Sequence, residues 1–206
     1  PQLRAFGFQE KPENVWDGTT ASDYAGGSGT ETDPYQIATG EQLAKLVTSK
    51  DTAGKYYKLT NDICLNDTSA PNWKENSPKQ WVGGCDNDHF YFSGTLEGDG
   101  HIVSGLYING KTDWFYGGLF NGLGNGAVIR NVGLTNASVT GENAKADGPF
   151  LGTLAGNLQN NSTVNVVGCW VDDTVTVKAT NSGSSNSEGA GGFIGCGASG
   201  MSLTFS

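Results

Sequence analysis

The residues of this 206-residue chain that could do chemistry are few and scattered. Glycoside hydrolysis needs two carboxylates facing one cleft, about 5–9.5 Å apart. Asp172-Asp173 is the nearest local pair, but adjacent strand residues point to opposite faces. Asp86 and Asp88 alternate correctly for one face, beside His89, in a stretch that reads as a loop. Asp99 and His101 sit in a Gly-rich corner. With His89 and His101 as the only two histidines, a catalytic triad or a His-based metal site has little material. The expectation is a chain without catalytic residues, metal centre or cofactor. A weak surface Ca²⁺ site at Asp86-Asn87-Asp88 is the one cation reading. Those residues supply oxygen ligands, but not the further acids and twelfth-position Glu of an EF-hand loop.

Binding has more to work with. Trp73, Trp81, Phe90, Tyr91 and Phe92 crowd one segment, and Trp114, Phe115 and Tyr116 follow Asn109-Gly110. Sugar-binding surfaces combine aromatic platforms with acids and amides, because rings stack on C–H faces while carboxylates accept hydroxyl hydrogen bonds. Trp73, Trp114 and Tyr116 beside Asp86 and Asp88 form the candidate ligand-binding set. The competing reading packs these rings into a core or cap. Cys64 and Cys85 are the disulfide candidates and would staple the enlarged Asp67–His89 stretch to the first β run. Cys169 and Cys196, a repeat apart, either bridge or pack as small apolar side chains.

Charge narrows the partners. Lys and Arg number 12 against 21 Asp and Glu, a net charge of −9. Nucleic-acid binding rests on clustered Lys and Arg, and so does an electrostatic grip on anionic lipid, so neither is expected. No run approaches 18 apolar residues, so no membrane insertion is expected. The chain opens at Pro1 without a basic and apolar leader, which reads as a mature or excised fragment.

The elements that must position these residues fall into two parts. Residues 1–34 are an irregular entry segment dense in Gly, Ser, Thr and Asp. Residues 35–206 hold a β-structure with one helix near 39–50. Thr39 and Gln42 fit a capping box there, and Leu43, Leu46 and Val47 recur at i, i+3, i+4. Beyond residue 55 come short β runs at 56–65, 90–96, 101–108, 128–134 and 164–177, with Gly98-Asp99-Gly100, Asn109-Gly110 and Gly124-Asn125-Gly126 expected as the sharp corners between them. The 32 glycines are roughly twice the usual share. Gly118-Leu119-Phe120-Asn121-Gly122 returns as Gly152-Thr153-Leu154-Ala155-Gly156 and again as Gly191-Gly192-Phe193-Ile194-Gly195. The run from Val128 returns from Val164, an offset of 36 residues. A fixed period of about 20–50 residues without helices means a solenoid, with 141–148 and 178–189 as loops leaving its corners.

These repeats resemble the GLUG motif of bacterial secreted and surface proteins, found in large adhesins and beside immunoglobulin A1 protease domains. Gly27-Ser28-Gly29-Thr30-Glu31-Thr32-Asp33-Pro34-Tyr35-Gln36-Ile37, Tyr57-Lys58-Leu59-Thr60-Asn61-Asp62-Ile63 and Phe92-Ser93-Gly94-Thr95-Leu96-Glu97-Gly98-Asp99-Gly100-His101 match the same style. The resemblance spans residues 15 to 200 and implies an all-β, right-handed parallel β-helix capped by the N-terminal helix. It further implies a secreted or cell-surface location; it does not imply an activity, because the family is defined by scaffold repeats and not by a catalytic centre. The expected function is a non-catalytic extracellular module, an adhesin or stalk domain, binding a glycan or a host surface protein. The alternative is a polysaccharide-active enzyme or its accessory domain. The third repeat is incomplete at Ser206, so the remainder of the polypeptide beyond Ser206 is itself an expected partner.

Overall fold

A computed structural model describes residues 14–84, 90–110, 116–143, 148–181, 188–197 and 199–206. The chain enters through β1 (Tyr35–Ile37) and the helix α1 (Gly40–Val47). A first coil holds β2 (Tyr56–Leu59), β3 (Ile63–Cys64) and β4 (Tyr91–Phe92). The second holds β5 (Thr95–Glu97), β6 (Ile102–Ser104), β7 (Tyr107–Gly110), β8 (Tyr116–Gly117) and β9 (Phe120–Leu123). The third repeats it as β10 (Val128–Arg130), β11 (Gly133–Thr135), β12 (Ser138–Asn143), β13 (Phe150–Gly152) and β14 (Ala155–Leu158). The fourth holds β15 (Thr163–Val167), β16 (Trp170–Val171), β17 (Thr176–Asn181), β18 (Gly189–Gly191) and β19 (Ile194–Cys196), and β20 (Ser202–Phe205) begins another.

Stacked coils build five sheets: β1-β2-β5-β10-β15-β20, β3-β6-β11-β16, β7-β12-β17, β8-β13-β18 and β4-β9-β14-β19. Each of these strand pairs is parallel. The fold is thus the expected all-β parallel solenoid. One interior column shows how it is held: Tyr57, Leu96, Ile129, Val166 and Phe205 lie in register through the first sheet. The first four are 2% exposed or less, whereas Phe205 at the last strand is 54% exposed. An aromatic ladder runs beside it, Tyr24 on Tyr35 at 4.7 Å, Tyr57 on Phe92 at 5.9 Å and Phe92 on Phe120 at 4.8 Å.

Corners need left-handed backbone, and the expected Asn and Gly supply it. Gly126, Asn161 and Gly200 all have positive φ at the same corner, before β10, β15 and β20. The glycine motif has a second cause. A Cβ at Gly156 would lie 2.4 Å from the Gly117 nitrogen, and one at Gly195 2.4 Å from the Leu151 nitrogen. Two of the sheets therefore meet backbone to backbone, a distance that excludes side chains.

Four expectations need correction. The β10–β15 register sets Val128 against Asn165, 37 residues on. A slip of one residue would turn Val164, 1% exposed, out of the core. Asn109-Gly110 belongs to β7 instead of a turn, because it pairs with Thr140-Gly141. The polar stretches after residues 141 and 178 begin as strand: Gly141 to Asn143 pair with Ala179 to Asn181. The helix ends at Val47, three residues before Lys50, where Thr48 turns its hydroxyl back to the Ala44 carbonyl at 2.8 Å. Its capping box holds in modified form: the Thr39 hydroxyl accepts from the Gln42 amide at 3.4 Å, while the Gln42 side chain accepts from the Ala38 amide at 2.7 Å. Leu43, Ala44, Leu46 and Val47 are buried and join the core of the first coil.

Candidate functional site

Between β3 and β4 the described residues of the first coil form no counterpart of the two strands that its successors have, and the enlarged segment lies there instead. Trp81 anchors the substitution. Its backbone amide donates to Tyr107 at 2.9 Å and its indole Nε1 to the Leu119 carbonyl at 2.9 Å. Asn66 closes the base of the loop in front of it. The Asn66 Nδ2 donates to the Lys79 carbonyl at 3.0 Å and the Gly105 carbonyl at 2.8 Å, and its Oδ1 accepts from the Lys79 amide at 2.6 Å. One buried amide therefore joins residues 13 apart and fastens both to the second coil. Compact loops with tied ends are frequent carriers of function.

Under this loop lies a cleft of about 500 Å³. The entry segment supplies Val15, Trp16 and Asp17, and the loop supplies Asn66, Asp67, Ala70, Trp73 and residues 76–79. Trp16 is held by its backbone N–H, which donates to the Cys64 carbonyl at 2.8 Å, by its indole N–H, which donates to the Thr19 carbonyl at 2.7 Å, and by edge contact with Trp81 at 4.9 Å. Trp73 is 6% exposed, edge-on to Tyr107 at 6.2 Å, with the Lys74 ammonium over its ring. Asp67 Oδ1 accepts from the Ser69 amide and hydroxyl at 3.0 and 2.6 Å. Asp17 Oδ1 accepts from the Thr19 hydroxyl and amide at 2.6 and 2.7 Å. Those bonds, the hydroxyl's first, hold the Asp17 carboxyl below the usual carboxylate range. Ser77 lines the cleft with φ at 54°, a left-handed conformation uncommon outside glycine.

Of the candidate ligand set, Trp73 lines this cleft. Tyr116 does not: it is half-buried in β8 and stacks on Phe150 at 5.6 Å. Asp86, Asp88 and Trp114 lie outside the described residues, and so do Cys85 and the Ca²⁺ reading. Cys64 is half-buried with its thiol 3.0 Å from the Asn66 carbonyl, and burial pushes its pKa up. Cys169 and Cys196 carry free thiols on different sides of the last coil. Asp99 and His101 divide between separate partners, Lys58 at 2.9 Å and Asp62 at 3.0 Å. Asp172 accepts from the Thr174 amide and hydroxyl in a turn.

Two features escaped the sequence. Asp17 and Lys79 reach the cleft from segments that look like turn and linker, and contacts remote in sequence, Trp16 with Cys64 and Trp81 and the Asp17 amide with Glu41, bring the first of them there. Trp170 is 42% exposed and covers Gly133, where a Cβ would fall 2.4 Å from its ring. Alternation after the inward Cys169 was the available signal for its outward orientation. Among the described residues no three His, Cys, Asp or Glu side chains converge as metal ligands, and no helix is long and apolar enough to cross a membrane.

No family model and no solved structure matches the chain. It is 35% identical over 151 residues to halomucin of Haloquadratum walsbyi, a match covering 73% of this chain and 2% of halomucin. It is 34% identical over 140 residues to a protein of Evansella cellulosilytica named as a Gly-rich membrane protein, covering 66% of this chain and 15% of that one. The chain thus spans a small fraction of the curated relatives it matches, and is similar to a module-sized stretch of each.

Proposed function

We propose that this chain is a non-catalytic β-solenoid module of a large cell-surface or secreted protein, acting as a stalk or adhesin segment that holds a binding cleft away from the cell. The observation that carries the reading is the scale of the matches: most of this chain against 2% of halomucin and 15% of a Gly-rich membrane protein. A solenoid suits that setting because each coil contacts only its neighbours, so length can grow without a new core. The likeness of its glycine repeats to the GLUG motif supports the same address. The partner is a glycan or a host surface protein. Labelling intact cells of the source organism with an antibody against the module tests the reading. Labelling without permeabilisation, or recovery from the medium, is expected; signal only after lysis would refute it.

The polysaccharide-active alternative has one observation in its favour, that Asp17 and Asp67 line the same cleft. A general acid, however, needs a carboxyl whose pKa is raised. Asp17 is shifted the other way, and both carboxylates already accept two hydrogen bonds inside their own turns. Binding without turnover is the reading we adopt.

A further inference from the structure

We propose that the cleft under the 66–79 loop binds one neutral pyranose ring, the exposed unit of a surface glycan. This rests on reading the chain as a binding module, and names the ligand class for it.

Volume and wall chemistry select the ligand. About 500 Å³ falls within the range of roughly 300–1,000 Å³ that small-ligand sites occupy. The apolar surface that remains open is that of the half-buried Val15, Ala70 and Pro78, backed by the buried indoles Trp16 and Trp73, and a pyranose presents C–H groups to such surface. The polar lining residues are Asp17, Asp67, Asn76, Ser77 and Lys79, two carboxylates with one ammonium, one amide and one hydroxyl among their side chains. Neighbouring sugar hydroxyls can donate to a carboxylate and accept from an ammonium or amide at once, and charge-assisted bonds of this kind are the strong ones.

The same charges exclude the neighbouring classes. Two carboxylates against one ammonium repel a uronate, a sulfated sugar or a phosphate, and the whole chain adds a net charge of −9. A bare cation is disfavoured from the other side. Lys79 stands in the lining, and one oxygen of each carboxylate is committed to its turn. What satisfies both signs without carrying either is a neutral polyhydroxyl ring. Asn66 makes the site ready-formed, because its three bonds fix the loop before any ligand arrives.

The test is an NMR titration of the whole ¹⁵N-labelled chain with the methyl glycosides of mannose, galactose and N-acetylglucosamine, with glucuronate and CaCl₂ as charged arms. At least one neutral glycoside is expected to shift the Trp73 indole N–H and the Lys79 amide with millimolar affinity. That affinity should fall at least tenfold in Asn76→Ala and Lys79→Ala, whose side chains are exposed and whose melting should be unchanged. Trp170→Ala should bind like the parent. No shift with any neutral glycoside, shifts confined to residues away from the cleft, or a preference for glucuronate or Ca²⁺ would overturn the proposal. Binding that survives both cleft variants would do so too. Surface labelling of cells reports separately on the module reading, so the two can fail independently.

Discussion

Replacing Asn66 by Ala should dismantle the cleft and leave the solenoid standing. Asn66 is 5% exposed and makes three hydrogen bonds, two to Lys79 and one to Gly105. A buried hydrogen bond contributes about 0.5–1.5 kcal/mol net, and a buried partner left unsatisfied costs about 1–3 kcal/mol. The Lys79 groups lie on an exposed residue and recover water, whereas the Gly105 carbonyl belongs to a buried one. The expected loss is therefore about 2–4 kcal/mol. For a chain of this size each kcal/mol moves Tm by about 2–4 °C, so a fully cooperative molecule would melt roughly 4–16 °C lower. A solenoid opens locally before it opens globally, and the loop can release its ends without unstacking a coil. Hydrogen exchange at the Lys79 amide is consequently the sharper assay, with protection expected to fall roughly 30- to 1,000-fold while the Ile129 and Leu134 amides keep theirs. Asn66→Asp should be at least as damaging, since it sets a carboxylate against two carbonyls. An Asn66→Ala chain that melts within about 1 °C of the parent, with Lys79 still protected, would refute this account of the loop.

The glycine motif yields a paired comparison: Gly156→Ala puts a Cβ 2.4 Å from backbone and should destabilise by about 2–3 kcal/mol or more, whereas Gly192→Ala meets nothing within 4 Å and should be near neutral in a thermal melt. The tyrosine cluster gives a pH limit. Burial pushes the Tyr24 phenol up to about 12 and raises Tyr57 further, so the folded chain holds these protons longer than the unfolded one. That contribution is complete below the ordinary phenol range near pH 10 and is lost as pH rises through about 12; Tm followed against phenolate absorbance should fall across that window, and less steeply in Tyr24→Phe. Thr39→Ala removes the helix cap and should cost about 0.5–2 kcal/mol by urea denaturation, with no effect on glycoside binding.

Much of the scaffold can be read from residue types. Asn and Gly at recurring intervals mark corners, and Val128, Ile129 and their successors mark strands, because left-handed turns and β-branched runs have few other uses. Register resists such reading. Val164 and Asn165 both align plausibly with Val128, and only which side chain reaches the interior decides between them. The glycine motif is legible as a repeat, while its cause, backbone against backbone between two sheets, requires coils that are remote in sequence to meet. The cleft is half legible. Trp73 is a visible aromatic, but Asn66 is an ordinary amide until its partners Lys79 and Gly105 are known. Trp16 and Asp17 lie in a segment whose composition says only turn, and their placement comes from the Trp16 amide on the Cys64 carbonyl, the Asp17 amide on Glu41 and the indole contact with Trp81.

Affinity electrophoresis through gels containing neutral polysaccharides, with reducing ends assayed in the same lanes, tests the central claim of binding without catalysis most directly. The account predicts retarded migration in at least one gel, relieved in Lys79→Ala, with no new reducing ends after prolonged incubation. Release of reducing ends by the purified chain, abolished in Asp17→Asn or Asp67→Asn, would contradict it and make the cleft an active site.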